Sequence, residues 1–263
     1  MENNLLNFQF NISIEAEQQK IKNKPVLIFI HGLFGDMNNL RTIAKTFSNN
    51  YRTLQLDVRN HGHSFHSKEM NYDLLAHDLI NLINYLGLKS VILIGHSMGG
   101  KIAMKTASLY PEIVQKIVVI DIAPVKYNHC THDDVFAGLF AVKQSAVTSR
   151  QDAKQILEQY ILEESIIQFM LKSFNPQSPE RFCFNLSALY DNYGNLMNWQ
   201  DCFFANPTLF IKGGLSNYIL PEYTDTILTQ FPQAQSFTIN GSGHWVHAEK
   251  CSLVTRAIER FLF

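Results

Sequence analysis

One string constrains this chain more than any other: Val91-Ile-Leu-Ile-Gly-His-Ser-Met-Gly-Gly100. Four aliphatic residues lead into Gly95-x-Ser97-x-Gly99, and residues 98–110 follow with helical spacing up to Pro111. A serine with glycine two places before and after it fits a sharp strand-to-helix turn, because the glycines leave room for close backbone approach. The turn exposes the hydroxyl and aims the start of a helix at it. That helix end supplies an N–H and a favourable dipole for developing negative charge. The string therefore predicts an α/β chain with a nucleophilic serine at the carboxyl end of a buried strand.

The rest of the chain repeats the alternation. Residues 8–14 read as an edge strand, and 26–30, 52–56, 91–94 and 117–120 as further strands. Helical spacing occupies 38–47, 71–86 and 98–110 between them. Strand–helix repeats of this kind imply right-handed crossovers and a mostly parallel sheet flanked by helices. After Asp121 the alternation breaks. Residues 122–205 hold helical stretches at 133–143, 153–163 and 165–173 and no convincing buried strand. The pattern then resumes with a strand at 208–212, a helix at 221–231, a strand at 235–239 and a helix at 249–263. The expected organisation is a core domain of residues 1–121 and 206–263, with a helical cap, 122–205, over the carboxyl edge where ligands bind in open α/β sheets.

Composition excludes several function classes. Lys plus Arg number 22 and Asp plus Glu 23, for a net charge of −1, so no general attraction to nucleic acid or anionic membrane is expected. No apolar run reaches the length of a membrane span, and residues 1–24 carry no apolar signal segment. Cys130, Cys183, Cys202 and Cys251 form no CxxC pair, which argues for free thiols in a reducing cytoplasm and against a cysteine-built metal site. His61, His63 and His66 lack helical ligand spacing and read as loop histidines. No cofactor or metal is expected.

A serine nucleophile needs a base, and the base a carboxylate. Of ten histidines only His244 and His247 lie beyond the last expected strand. Asn240-Gly-Ser-Gly-His244 is a flexible turn, which favours His244; His247 and Glu249 read as capping or solvent-facing residues. The loop after strand 208–212, Gly213-Gly-Leu-Ser-Asn-Tyr218, offers no carboxylate. One strand earlier, Asp121 ends an apolar run, where an unpaired carboxylate would be costly. Asp121 is therefore the expected acid, in the order Ser97, Asp121, His244, with Ser216 of the vacated loop in support. Asp57 also ends a strand and reads as structural, ordering Arg59 and the adjacent turn. His31-Gly-Leu-Phe-Gly35 follows the first buried strand and supplies the second half of an oxyanion hole, so the expected donors are the backbone N–H groups of Leu33 and Met98. His31 reads as a loop-holding residue and His96 as packing beneath the turn. The candidate pocket residues are Phe34, Arg59, Lys101, Phe136 and Phe140. For Lys101 a solvated helix position and a contact for cap or ligand phosphates stand equally. The insertion's Phe136, Leu139, Phe140, Phe169, Met170, Leu171 and Phe174 fit cap packing, with some left to line an acyl channel.

Together these segments resemble the YbfF-type esterases of the α/β-hydrolase superfamily over nearly the whole chain. The resemblance rests on His31-Gly-Leu-Phe-Gly35, Asp57-Val-Arg-Asn-His-Gly62, Gly95-His-Ser-Met-Gly-Gly-Lys101, Asp121-Ile-Ala-Pro124, Phe169-Met-Leu-Lys-Ser-Phe174 and Gly243-His-Trp-Val-His-Ala-Glu-Lys250. It implies an α/β-hydrolase fold, a monomer or homodimer, and hydrolysis of small acyl esters and acyl-CoA thioesters with the acid where Asp121 stands. Any attraction for an anionic thioester would then fall to Arg59 or Lys101. Carbon–carbon hydrolysis or a menaquinone-pathway-like lyase on the same triad, or a non-catalytic binder on this fold, are the alternatives.

Overall fold

A computed structural model describes residues 4–11, 24–128 and 132–263 of the chain. Expectations for Cys130, for the end of the 8–14 strand and for the residues before 24 other than 4–11 lie outside the described residues.

The sheet has seven strands in the order β1-β3-β2-β4-β5-β6-β7. They are β1 (Phe8–Asn11), β2 (Val26–Ile30), β3 (Thr53–Leu56), β4 (Val91–His96), β5 (Val114–Ile120), β6 (Thr208–Gly213) and β7 (Ala234–Ile239). Only β1 runs antiparallel, against β3; every other pairing is parallel. Strand alternation sends Val26, Ile28 and Ile30 to one face and Leu27 and Phe29 to the other, and each face joins a separate hydrophobic cluster. All five residues are at most 1% exposed, as in a strand covered on both sides.

Helices supply the covers. On one face lie α1 (Arg41–Phe47), with Ile43, Ala44 and Phe47, and the C-terminal α11 (Cys251–Leu262), with Val254, Ala257, Ile258 and Phe261. On the other lie α2 (Tyr72–Tyr85) and α3 (Met98–Leu109). The Asn71 side chain caps α2 by accepting from Leu74 N–H at 2.9 Å, and Gly87 (φ 63°) turns the chain out beyond it.

Between β5 and β6 come α4 (Asp133–Ser145), α5 (Arg150–Leu157), α6 (Glu164–Lys172), α7 (Leu186–Asp191) and α8 (Tyr193–Met197). Two departures from the spacing have local causes. The Ser149 hydroxyl accepts from Asp152 N–H and starts α5 at residue 150 rather than 153. The helices α7 and α8 are six and five residues long, too short to leave a periodic signal. After β6, a 3-10 turn (Pro221–Tyr223) leads into α9 (Thr224–Gln230). A short α10 (Val246–Glu249) precedes α11, so the expected single helix from 249 is broken at Lys250. Among the described residues no helix is long and apolar enough to cross a membrane.

The chain moves from β2 to β3 on one side and then to β4 on the other. Strand order thus reverses between β2 and β4, and the crevice at such a switch point is where open α/β sheets bind ligands.

Candidate active site

The loops following β2, β4, β5, β6 and β7 meet at the carboxyl edge of the sheet. Ser97 lies at the end of β4 with φ 52° and ψ −121°, a backbone state that costs on the order of 1–3 kcal/mol for a non-glycine residue. The turn is held by Ser97 N–H to Ile120 O at 2.9 Å and by Gly100 N–H to Ser97 O at 2.8 Å. Its glycines are obligatory. A Cβ on Gly95 would fall 2.1 Å from Gly99 O, and one on Gly99 would fall 2.2 Å from Ile30 O.

The Ser97 hydroxyl donates to His244 Nε2 at 3.0 Å, and His244 Nδ1–H donates to Asp121 Oδ2 at 2.8 Å. Asp121 is fully buried and has φ 53°. Its Oδ1 accepts from Gly213 N–H at 2.9 Å, and its Oδ2 also accepts from the Ser216 hydroxyl. The carboxylate therefore has four hydrogen-bond sites and three donors, which compensates its burial. Ser216 does occupy the loop after β6, against the same carboxylate. Tyr218 of that loop stacks on the His244 imidazole, centroids 4.0 Å apart and planes 25° apart. The Tyr127 hydroxyl accepts from Ala123 N–H and donates to Tyr218 O at 2.6 Å, binding the β5 and β6 loops together. Neither tyrosine was marked by a motif. Each follows a strand end by several residues, where sequence gives no positional signal.

Histidines organise the surrounding loops. His31 Nδ1–H donates to Gly32 O at 2.8 Å, and its Nε2 accepts from Val58 N–H at 3.1 Å. His61 works likewise, donating to Arg59 O and accepting from Phe34 N–H at 3.2 Å. The Phe34 amide is thus consumed inside the loop. The N–H groups of Leu33 and Met98 have no hydrogen-bond acceptor among the described residues, and both residues line the cavity in front of Ser97. His96 Nε2–H donates to His244 O at 2.9 Å, holding the loop of the imidazole from below. His247 departs from the expected solvent-facing position: it is 7% exposed and its ring lies 4.0 Å from His96. Glu249 is exposed at the end of α10 and accepts from the loop amide Gly243 N–H at 3.0 Å. Asp57 accepts from Met37 N–H, His63 N–H and Asn7 Nδ2–H, so it knits three segments together.

The cavity holds about 530 Å³. Phe34 and Lys101 line it, as do Ile122, Val135, Phe169, Met170, Leu196 and Met197. Three pocket candidates are displaced from it. Arg59 is buried against Asp78, with Nε at 2.5 Å and Nη2 at 2.7 Å, because a buried guanidinium needs a carboxylate. Phe136 packs edge-on against Phe34, Tyr190 and Tyr193, and Phe140 against Tyr190; both serve helix packing and neither lines the cavity. Of the insertion's aromatic and aliphatic set, Phe169 and Met170 reach the cavity, whereas Leu139, Leu171 and Phe174 do not.

Burial holds several rings neutral. Desolvation takes His61 and His247 down to about 3 and His132 to about 4, against an ordinary 6.5. The unfolded chain therefore binds more protons than the folded one below pH 6.5. Stability is full above that value and falls as pH drops toward 3, by up to about 1.4 kcal/mol per pH unit for each ring. Thermal melts followed by circular dichroism should show a steep decline in midpoint between pH 6.5 and 4.5. A flat midpoint across that interval would contradict the neutral assignment.

Sheet order and the strand-to-helix turn at Ser97 define a class. The chain belongs to the α/β-hydrolase fold family, whose model matches residues 25–250. It is 57% identical to a Haemophilus influenzae protein named as an esterase/lipase, over 100% of this chain and 90% of that one. It is 41% identical to the esterase YbfF of Escherichia coli, over 97% and 99%. A solved marine microorganism esterase superposes with a TM-score of 0.90 at 32% identity, over 98% and 99%. Within the family the chain thus belongs with the YbfF-type esterases.

Proposed function

We propose that the chain hydrolyses carboxylic esters through an acyl-enzyme on Ser97. The observation that carries this reading is the continuous run from Ser97 Oγ through His244 to Asp121 at the mouth of an apolar cavity. His244 Nε2 takes the serine proton as Oγ attacks the acyl carbonyl. The Leu33 and Met98 N–H groups hold the oxyanion. Asp121 fixes the tautomer and stabilises the imidazolium, which also rests against the Tyr218 ring. His244 then protonates the leaving alcohol and activates water for the second half-reaction. Ser216 is a supporting residue that holds the carboxylate in place. Residues 122–205 act as the cap that closes the acyl channel, and the site accepts small acyl esters and, with a thiol as leaving group, acyl-CoA thioesters. A cytoplasmic setting fits the scattered cysteines.

A fluorophosphonate probe should label Ser97, identified by peptide mass. A panel of p-nitrophenyl esters and acyl-CoAs of graded chain length should be turned over, with p-nitrophenyl butyrate giving a burst close to one equivalent of enzyme. No label on Ser97, or no turnover of any member, would overturn the reading.

A further inference from the structure

Lys101 is a buried cation on the cavity wall that the mechanism above leaves unused. It is 1% exposed, in the first turn of α3. Its ammonium donates to Asn198 O at 3.3 Å and lies 4.8 Å from the Tyr127 ring, 5.4 Å from Tyr72 and 5.5 Å from Trp199. Among the described residues no carboxylate pairs with it. Three other cations, buried or half-buried, do have a carboxylate partner. Arg59 has Asp78, Lys143 has Glu180, and Lys105, one turn further along the same helix, has Asp73 at 2.9 Å. A buried charge without a counter-ion is costly, and three ring faces and one carbonyl offset only part of that cost. Burial accordingly brings the Lys101 amine down to about 7.

Position says where the missing counter-ion belongs. Lys101 follows Ser97 by four residues, so the two share one face of the helix start, and long helical side chains lean back toward the N-terminus. Both residues line the same cavity, as do two of the three rings around the ammonium, Tyr72 and Tyr127. Much of the remaining wall, including Ile122, Val135, Leu196 and Met197, is apolar. The cavity thus presents an ester-attacking hydroxyl, an apolar stretch and an unpaired cation, and the carboxylates of Glu163 and Glu249 also stand on its wall.

We propose that Lys101 receives a carboxylate carried by the substrate, so that the preferred esters are anionic half-esters with methylenes between ester and carboxylate. The proposal rests on the ester-hydrolase reading above. Carboxylate binding raises the amine's affinity for its proton. The preference is therefore greatest between the substrate carboxylate's own pKa and that of the free amine, and it fades as pH rises well above the latter.

Two arms locate the charge. One compares mono-p-nitrophenyl adipate with p-nitrophenyl hexanoate, placing the carboxylate on the acyl side. The other compares the butyryl ester of 4-hydroxybutanoate with butyl butyrate, placing it on the alcohol side. In at least one arm the anionic ester should have the higher kcat/KM. Lys101→Met should cut the anionic-to-neutral ratio by about 10- to 100-fold, the range for a hydrogen bond to a charged partner. Lys101→Arg should recover part of the ratio. Reading the ratio within each variant cancels any general loss from a disturbed contact to Asn198. Binding supplies a measure free of turnover: Ser97→Ala protein should bind monomethyl adipate more tightly than dimethyl adipate, and lose that difference when Lys101→Met is added. Hydrolysis of the neutral esters with no anionic preference in either arm, or a ratio unchanged in Lys101→Met, would overturn the role of Lys101 and leave the esterase reading standing. Absence of any turnover would count against the esterase reading, and the comparison of monomethyl and dimethyl adipate binding would still decide Lys101.

Discussion

Ser97→Ala is expected to lower kcat/KM for p-nitrophenyl butyrate by about 10⁶-fold, the scale seen when a triad nucleophile is removed. Alanine retains the Cβ and so inherits the same strained backbone at φ 52°. It removes one hydroxyl from a half-buried position and opens no core cavity. The melting midpoint should therefore change little while the chemistry disappears. The Leu33 and Met98 amides remain, and the residual rate measures what they and the cavity contribute without a nucleophile. The same change should abolish the fluorophosphonate label. A loss smaller than about a hundredfold would mean that another group attacks the ester.

Asp121→Asn should cost about 10⁴-fold in kcat with a far smaller effect on KM. An asparagine here can still accept from Gly213 N–H through Oδ1, since that amide approaches the other carboxylate oxygen. Its NH₂ would then face Ser216 and His244, where Oδ2 now accepts. A donor opposite Nδ1 forces the imidazole proton onto Nε2, which turns a donor toward Ser97 and removes the base. Asp57→Asn is the contrast. Asp57 accepts from two backbone amides and from Asn7 in the loops beside β3, so its loss should lower the melting midpoint more than kcat. Full activity in Asp121→Asn together with inactivity in Asp57→Asn would reverse the assignment.

The sheet strands and the strand-to-helix turn at Ser97 were legible because their signals are local. Fully buried parallel strands read as unbroken apolar runs, and the Gly95 and Gly99 clashes admit no other residue without moving backbone. Asp121 was legible for a different reason: a carboxylate closing an apolar strand demands partners, and the loop after β6 had none of its own charge to offer. What escaped the sequence is long-range. The separation of Arg59 from the cavity depends on Asp78, nineteen residues on and on another element. Tyr218 and Tyr127 act through a ring face and a hydroxyl that only the finished fold brings together. His247 lies beneath His96 because α11 does not begin until Cys251, a break that helical periodicity conceals. Phe136 and Phe140 differ from Phe169 in the direction they face, and the short helices setting those directions carry no pattern of their own.

Ser97 and His244 are separated by 147 residues, and His244 and Asp121 by 123. Contacts of such span close loops of well over a hundred residues and depend on nearly every strand being in place. A chain with one strand mispaired could keep most of its buried area and still lack the hydroxyl–imidazole contact. Catalysis in this molecule is thus a stricter reporter of completed topology than compactness or helix content, and a lost turnover rate can signal misassembly before any spectroscopic sign of unfolding.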